Sequence, residues 1–234
     1  GDLSQSLAAL APLGVVNALL DFGDEAQHEA WLPRFASEAP VPAAVALAEP
    51  RATFEPGDPH TRARRDGDEY VLNGAKAFIS GAGDTDLLVL MARTGGPGAG
   101  GISCFAIPAD TPGVSYGRNE DKMGWKSQPT RAVILEDARA PGENRIGDEG
   151  QGFKIAMAGL DGGRINIASC SLGAASAALA QAQSYVQERR QFDQPVSEFQ
   201  SVQFTLADMA THLVAAQQMV RLAAWKLDNG DADK

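Results

Sequence analysis

The sequence is poor in several residue types, and each shortage excludes a class of protein. Two cysteines in 234 residues, Cys104 and Cys170, are too few for the disulfide framework of a small secreted domain. We therefore expect both to be reduced thiols in packing positions. The three histidines, His28, His60 and His212, are scattered without the spacing of metal ligands, so no metal site is predicted.

Positive charge and long apolar runs are also scarce. The 20 Lys and Arg are outnumbered by 30 Asp and Glu, which gives a formal net charge of -10 and argues against nucleic acid or an anionic membrane surface as a partner. No uninterrupted apolar run reaches the roughly 18 residues of a membrane span, and none is predicted. Without a signal peptide or a basic presequence, a cytoplasmic location is expected. The mitochondrial matrix is the alternative if a transit peptide has been removed.

The periodicity of the apolar residues divides the chain into three regions. Residues 3–35 have helical spacing interrupted by an acidic stretch at 21–25, which predicts a helix, a turn and a short helix. Small residues and apolar residues at helical spacing return after residue 150. The resulting order of helices, strands and helices is an α+β arrangement. We predict domains at 1–42, 43–147 and 148–234, and long helices over 150–190 and 201–227.

The middle region carries the signals of an antiparallel β-sandwich or barrel. Its apolar runs are short, rich in β-branched residues and separated by turn residues. The pair Asn73-Gly74 is typical of a type I′ hairpin turn. The glycine-rich stretch 96–101 lies between two strands rather than between a strand and a helix, so it predicts a hairpin connection and not a dinucleotide-binding loop. Strands are predicted at 70–72, 75–79, 87–91, 102–107 and 132–135.

The segment 188–210 joins the two long helical patterns. Arg189 and Arg190 close the first pattern, Pro195 prevents its continuation, and Phe199-Gln200 opens the second. One interpretation is a site for an anionic cofactor. The other is a basic helix C-terminus favoured by the helix dipole, followed by an ordinary interhelical loop.

Several of these segments resemble the acyl-CoA dehydrogenase family of flavoproteins. The likeness is carried by AKAFISGAGDTDLLVL (75–90), GISCFAIP (101–108), KMGWKSQPTRAVILED (122–137) and IGDEGQGFKIAMAGLDGGRINIASCSLGAA (146–175), in the family's order. The versions GWKSQPTR and GLDGGRINIASCSLGAA look closest to the isobutyryl-CoA dehydrogenase branch.

The resemblance implies a fold and a reaction. The fold is the end of an N-terminal helical domain, a central antiparallel β-barrel and the start of a C-terminal helical bundle. The reaction is the FAD-dependent α,β-dehydrogenation of a short acyl-CoA, straight or branched, to the enoyl-CoA, with hydride transfer to flavin N5. The implied partners are the acyl-CoA substrate, an electron-transfer flavoprotein and further copies of the chain in a dimer or tetramer.

The resemblance also assigns site residues. Arg189, Phe199 and Gln200 match positions that contact the FAD of a neighbouring subunit. The flavin-lining positions are matched by Leu47, Ala48, Phe78, Ile79 and Ser80, and the substrate-binding positions by Phe54, Asp161, Gly162, Gly163 and Arg164.

Some of these residues also have a purely structural interpretation, and the sequence does not decide between that interpretation and a binding role. Phe78 and Ile79 can be core residues of a strand, with Ser80 beginning a turn. The segment 161–164 is expected to interrupt its helical region, either as a binding segment or as a glycine kink with a surface Asp-Arg pair.

Two departures from the family pattern bear on activity. A hydroxyl residue is replaced by Ala48, and Phe54 stands where the family has a small polar residue, which is expected to obstruct the ligand entrance. The reaction also needs a general base within reach of the α proton. One family position for that glutamate is Gly163 here, and the other is expected beyond Lys234, so no catalytic residue is assigned and the chain is expected to be partial. A non-catalytic binding or scaffold protein of the same fold is therefore the alternative function.

Overall fold

The computed structural model describes residue 6 and residues 9–39 and 41–230. They form two compact units, one spanning Ala8–Asp161 and the other made mostly of the residues from Gly162 onward. The predicted domain boundaries after residues 42 and 147 stay predictions.

The first unit begins with two short helices, α1 (Leu13–Phe22) and α2 (Glu25–Phe35). Between them, the Asp24 carboxylate accepts a hydrogen bond from the Gln27 amide at 2.8 Å, and the Gln27 side chain accepts one from the Asp24 amide at 3.2 Å. This reciprocal capping box satisfies amides that have no partner inside the helix, and it explains why α2 begins there. The predicted helix, turn and short helix are confirmed; the start of the pattern, residues 3–5, 7 and 8, lies outside the described residues.

An eight-stranded sheet forms the body of the first unit. The strands are β1 (Ala43–Ala46), β2 (Arg62–Asp66), β3 (Glu69–Ser80), β4 (Leu87–Arg93), β5 (Ile102–Pro108), β6 (Val114–Tyr116), β7 (Thr130–Pro141) and β8 (Arg145–Ile146). Their hydrogen-bonded order is β6-β7-β3-β2-β4-β5-β8, and β1 pairs with β4. The sheet is mixed rather than purely antiparallel, because β4 runs parallel to both β1 and β2.

Two apolar cores lie on opposite faces of β4. Leu88 and Leu90 join the core that includes β3, β5 and β7, whereas Val89 and Met91 join the core that includes α1 and Ile155. Since successive side chains of a strand point to opposite faces, a strand covered on both sides must be apolar throughout. This explains the uninterrupted run LLVLMA at 87–92, and every residue of β4 is buried.

The predicted hairpin turn at Asn73-Gly74 is wrong. β3 runs through both residues, and the turn lies six residues earlier, where Gly67 and Asp68 connect β2 to β3. Asn73 exchanges hydrogen bonds with Asp137 on β7, at 2.9 and 3.0 Å. Gly74 is required for a different reason, since a Cβ there would lie 2.7 Å from the Cα of Thr61. Cross-strand pairing therefore overrides the local turn signal.

The helical region comprises α3 (Gly152–Glu188), a small hairpin of β9 (Arg190–Gln191) and β10 (Gln194–Pro195), and α4 (Gln200–Asp228). Both long helices were predicted. The interruption predicted at 161–164 is wrong, because α3 continues through Gly162 and Gly163. A Cβ at either glycine would meet nothing within 4 Å, so packing in this chain does not demand glycine there.

Helix α3 contains an 18-residue window with a mean hydropathy of 1.2, so by length and composition it is long enough to cross a membrane. A single helix of this kind does not establish a membrane span, because core helices of proteins outside membranes share the same length and composition.

Candidate cofactor and ligand site

A cavity of about 320 Å³ lies in the first unit, between α1, the sheet and the start of α3. Its walls are mostly apolar, and its volume is at the lower end of the roughly 300–1,000 Å³ typical of ligand pockets. It is therefore large enough for a ring system or a short acyl chain. The lining residues are Gly14, Ala18, Val45, Leu47, Ala48, Phe54, Phe78, Ile79, Val89, Met91, Ile155, Ala156, Gly159 and Leu160.

Phe78 occupies an irregular position in β3. Lys76 pairs with Val133 of β7 and Ile79 with Arg131, so β3 has one more residue than β7 in this interval. The extra residue is accommodated by a bulge in which Phe78 has a φ of 58°. Such a φ is unfavourable for a bulky residue, and bulges of this kind re-aim a side chain. The Phe78 side chain consequently lines the cavity while 67% of it remains exposed.

Leu47 and Ala48, directly after β1, form another part of the wall. The Ala77 amide donates a hydrogen bond to the Ala48 carbonyl at 2.9 Å. The Lys76 ammonium donates to the Leu47 carbonyl at 3.3 Å and to the Glu49 carboxylate at 3.0 Å. Three consecutive residues after β1 are thereby attached to β3, immediately before the Phe78 bulge.

Glu49 and Lys76 form an ion pair inside the protein, with side-chain exposures of 3% and 0%. Glu49 also accepts hydrogen bonds from the His60 amide at 2.7 Å, the Thr61 amide at 2.9 Å and the Thr61 hydroxyl at 2.7 Å. Burial alone would raise the pKa of Glu49, but Lys76 and these donors lower it to about 2. Burial lowers the pKa of Lys76, and Glu49 opposes that change. The carboxylate is thus ionised at neutral pH.

Phe54 lies on the loop between Glu49 and His60 and lines the cavity, as predicted for a residue at the ligand entrance. The Arg51 guanidinium lies 5.7 Å from the centroid of its ring. Arg51 also contacts His60 Nε2 at 2.9 Å and donates to the Asp58 carbonyl. Arg51, a residue of the same loop, therefore stabilises the position of the Phe54 ring through a cation–π interaction.

The other predicted residues of the first unit lie at the margin of the cavity. Ser80 ends β3, is exposed, and is not among the lining residues. Asp161 follows the lining residue Leu160 on α3. Gly162, Gly163 and Arg164 continue the same helix in the second unit.

The segment around Arg189, Phe199 and Gln200 belongs to the second unit. Arg189 is exposed, and its carbonyl accepts a hydrogen bond from the Val196 amide at 2.7 Å. Phe199 is the residue before α4, and Gln200 is the first residue of that helix. The segment is a structured hairpin rather than an irregular loop.

Phe192 stands at the tip of this hairpin and was not predicted. Phe192 and Asp193 have φ values of 51° and 64°, as the two central residues of a type I′ turn do. The Phe192 ring is 88% exposed and lies edge-on to Phe199, with the ring centroids 6.3 Å apart. An exposed aromatic residue held at such a φ supports a binding role for the segment.

The ion pair was also missed. Glu49 and Lys76 are separated by 27 residues, so no local pattern joins them. One signal in the sequence could have indicated the pair: Lys76 is flanked by apolar residues within a predicted strand. A lysine buried in this way requires an acidic partner.

The cavity suits binding and positioning more than proton transfer. Its lining offers an aromatic ring, aliphatic side chains and small residues, against which a flat heterocycle can lie. None of the lining residues in the described part of the chain carries a carboxylate. A flavin ring system therefore fits the walls, while the base needed for α-proton abstraction is not among them.

Family models match most of the chain. The acyl-CoA dehydrogenase middle domain matches residues 44–138, and the acyl-CoA dehydrogenase C-terminal domain matches residues 150–234. The isobutyryl-CoA dehydrogenase of Dictyostelium discoideum mitochondria is 51% identical over 211 residues, which are 90% of this chain and 50% of that protein. The chain thus spans about half the length of the curated relatives it matches.

Solved structures agree with these matches. Butyryl-CoA dehydrogenase from Megasphaera elsdenii superimposes with a TM-score of 0.92 at 40% identity, covering 98% of this chain and 60% of that one. A protein described as an FAD-dependent dehydrogenase superimposes with a TM-score of 0.92 at 31% identity, covering 99% of this chain and 62% of that one.

Proposed function

The chain belongs to the acyl-CoA dehydrogenase family, and from that premise we propose that it binds FAD and a short, branched acyl-CoA for α,β-dehydrogenation. The single observation that carries the proposal is the cavity whose walls contain four of the five predicted flavin-lining residues, Leu47, Ala48, Phe78 and Ile79. The 51% identity to an isobutyryl-CoA dehydrogenase supports the branched substrate.

The residues of this chain have binding and positioning roles in the proposal. Leu47, Ala48, Phe78 and Ile79 provide walls that exclude water from a bound ring, and Ser80 adds a hydroxyl at the end of β3. When bound, FAD supplies the acceptor for the hydride that leaves the β carbon. Excluding water strengthens every electrostatic interaction within the cavity.

The second unit contributes the remaining contacts. We assign to Arg189, Phe199 and Gln200 the contacts with the FAD of a neighbouring copy, which makes a homo-oligomer part of the proposal. The segment 161–164 is assigned to the acyl-CoA, with Arg164 near its polar moiety. An electron-transfer flavoprotein is the proposed electron acceptor. The α proton requires a carboxylate that the cavity lining does not provide.

Anaerobic addition of isobutyryl-CoA to the FAD-loaded chain tests the proposal. We expect the chain to retain FAD, and isobutyryl-CoA to perturb the visible absorption of that FAD more than straight-chain butyryl-CoA does. Loss of the visible absorption shows turnover, whereas a shift without loss shows binding alone. A folded chain that takes up no FAD contradicts the proposal.

Replacement of Arg189 tests its assignment separately. Arg189→Ala should weaken FAD retention while leaving the helical content unchanged, because the side chain is exposed and its backbone holds the hairpin. Arg221→Ala removes an exposed positive charge from α4 and serves as the matched control. Equal FAD content in the two variants would remove Arg189 from the site.

A non-catalytic acyl-CoA-binding protein is the second candidate, and one observation favours it. Phe54 occupies the cavity wall under Arg51, and the lining of the described residues has no carboxylate. If Phe54 obstructs the entrance, Phe54→Ser should tighten the binding of a CoA ester in a calorimetric titration. Unchanged affinity would show that the loop does not obstruct the ligand.

A further inference from the structure

The ion pair between Glu49 and Lys76 is buried, and neither residue lines the cavity described above, yet three cavity-lining segments depend on it. The Lys76 ammonium is bonded to the Leu47 carbonyl, which fixes the wall formed by Leu47 and Ala48. Lys76 also lies two residues before Phe78, at the start of the bulge that aims the Phe78 ring. One side chain therefore connects two parts of the cavity wall.

Glu49 fixes the third segment. Its carboxylate receives the amides of His60 and Thr61, at 2.7 and 2.9 Å, and so brings the two ends of the loop 50–59 together. Phe54 is carried by this loop. The Glu49 carboxylate thus closes the loop 50–59, and Phe54 in the middle of that loop lines the cavity.

Stability alone does not account for such a pair. Removing two charges from water is costly, and exchanging a buried ion pair for uncharged residues of similar volume is often neutral for stability or favourable. A buried pair whose charged groups are held by several directed hydrogen bonds is better suited to specify one arrangement of the segments it joins. The four donors around Glu49 and the two acceptors around Lys76 meet that description.

We propose that Glu49 and Lys76 are positioning residues that set the separation between the Leu47-Ala48 wall, the Phe54 loop and the Phe78 bulge, and thereby the affinity of the cavity for a flavin ring. The inference rests on the proposed function, because it names what holds the walls of that same site. Neither residue contacts the ligand in this scheme.

The test uses the double variant Glu49→Gln/Lys76→Met in this chain. Glutamine keeps an acceptor for Thr61 and methionine keeps most of the lysine volume, so both charges are removed without leaving either one unpaired. The His60 amide and the Leu47 carbonyl each lose a partner, so we expect the double variant to fold with a modestly lower thermal unfolding midpoint. FAD titration followed by flavin fluorescence should show binding weaker by about tenfold or more, the order of loss seen when residues that support a ligating side chain at a metal site are removed.

The control removes an exposed ion pair that also involves β3. Arg139 on β7 contacts Glu69 on β3 at 2.9 Å, and its side chain is 55% exposed. Arg139→Met should bind FAD as the wild type does. A difference between the two variants then reports the location of the ion pair and not merely the loss of an ion pair at β3.

Each outcome is decisive. A double variant that binds FAD as tightly as the wild type overturns the positioning role while the proposed function stands. A double variant that does not fold also overturns it, since the pair would then be required by the fold itself. If the wild-type chain binds no FAD, the proposed function fails, and this inference fails with it.

Discussion

Strand β4 and helix α4 are both rich in apolar residues, but their surroundings differ. All seven residues of β4 are buried, whereas none of the residues of α4 is. The sheet is covered on both faces by segments of its own unit, so its core is complete within residues 8–161. Helix α4 leaves large side chains in solvent: Phe204, Met209, Val214, Met219, Leu222, Trp225 and Leu227.

This difference separates a self-contained core from a helix surface that is suited to association. A complete core gives the cavity rigid walls, as a site that positions a ligand requires. Exposed apolar side chains along one helix are typical of a surface that binds protein. The first unit should therefore respond to mutation as a packed core does, and the second unit as a surface does.

The cysteines offer the largest contrast, because each unit contains one. Burial raises the pKa of the Cys104 thiol from 9.0 to about 12, so its thiolate population falls about a thousandfold. Cys170 on α3 is only half-buried. Iodoacetamide should alkylate Cys170 in the native protein and leave Cys104 unmodified, as peptide mass spectrometry can measure.

Denaturation supplies the control for the labelling experiment. In concentrated urea the two thiols should react at similar rates, because burial no longer separates them. Rapid native alkylation of Cys104 would show that the sheet opens readily and that the contrast between the units is false.

A pair of phenylalanines tests packing directly. Phe105 is fully buried and lies edge-on to Tyr70, with the ring centroids 5.0 Å apart, whereas Phe204 on α4 is 63% exposed. Phe105→Ala should lower the free energy of unfolding by about 3–5 kcal/mol. Phe204→Ala should change it by no more than about 0.5 kcal/mol. Urea unfolding, followed separately by near-ultraviolet and far-ultraviolet circular dichroism, measures the change in each variant. If Phe204→Ala lost as much unfolding free energy as Phe105→Ala, α4 would be covered in solution.

Glu49 gives the first unit a specific pH dependence. Its pKa of about 2 in the folded protein lies below the ordinary 4.5, so the ionised form is stabilised by folding. The contribution is fully present above about pH 4.5 and is lost as the pH falls towards 2. A shift of this size corresponds to roughly 3 kcal/mol.

The Glu49→Gln variant isolates that contribution. The difference in unfolding free energy between wild type and variant should be largest above pH 5 and shrink as the pH falls. Glu188→Gln, at the end of α3, removes an exposed carboxylate and is the control. A difference for Glu49→Gln that stays constant with pH would contradict the ionised pair.

The elements with strong local patterns could be predicted from the sequence. The run LLVLMA predicted β4, and helical spacing predicted α3 and α4. Strand β2, RARRD, was missed because its charged residues hide the single buried position at Ala63. Its strand conformation depends on pairing with β3, and such pairing is not encoded within five residues.

The candidate site also has features that the sequence could predict and features that it could not. Family motifs predicted Leu47, Ala48, Phe54, Phe78 and Ile79, and the structure places all five on one cavity. The φ of Phe78 could not be predicted, because it is imposed by the bulge against β7 and disfavoured by the side chain itself. The ion pair between Lys76 and Glu49 could not be predicted either, because it forms only when the segment after β1 lies against β3.

Helix capping gives the smallest of the expected effects. Asp24 caps α2 through a reciprocal pair of hydrogen bonds with Gln27, whereas Phe199, the residue before α4, provides no side-chain cap. Asp24→Ala should therefore lower the free energy of unfolding by about 1 kcal/mol. Ser201→Ala, in the first turn of α4, should leave it unchanged within about 0.5 kcal/mol. Equal losses of unfolding free energy in the two variants would mean that the N-termini of α2 and α4 are stabilised in the same way. The contrast between the packed first unit and the exposed second unit would then not extend to local structure.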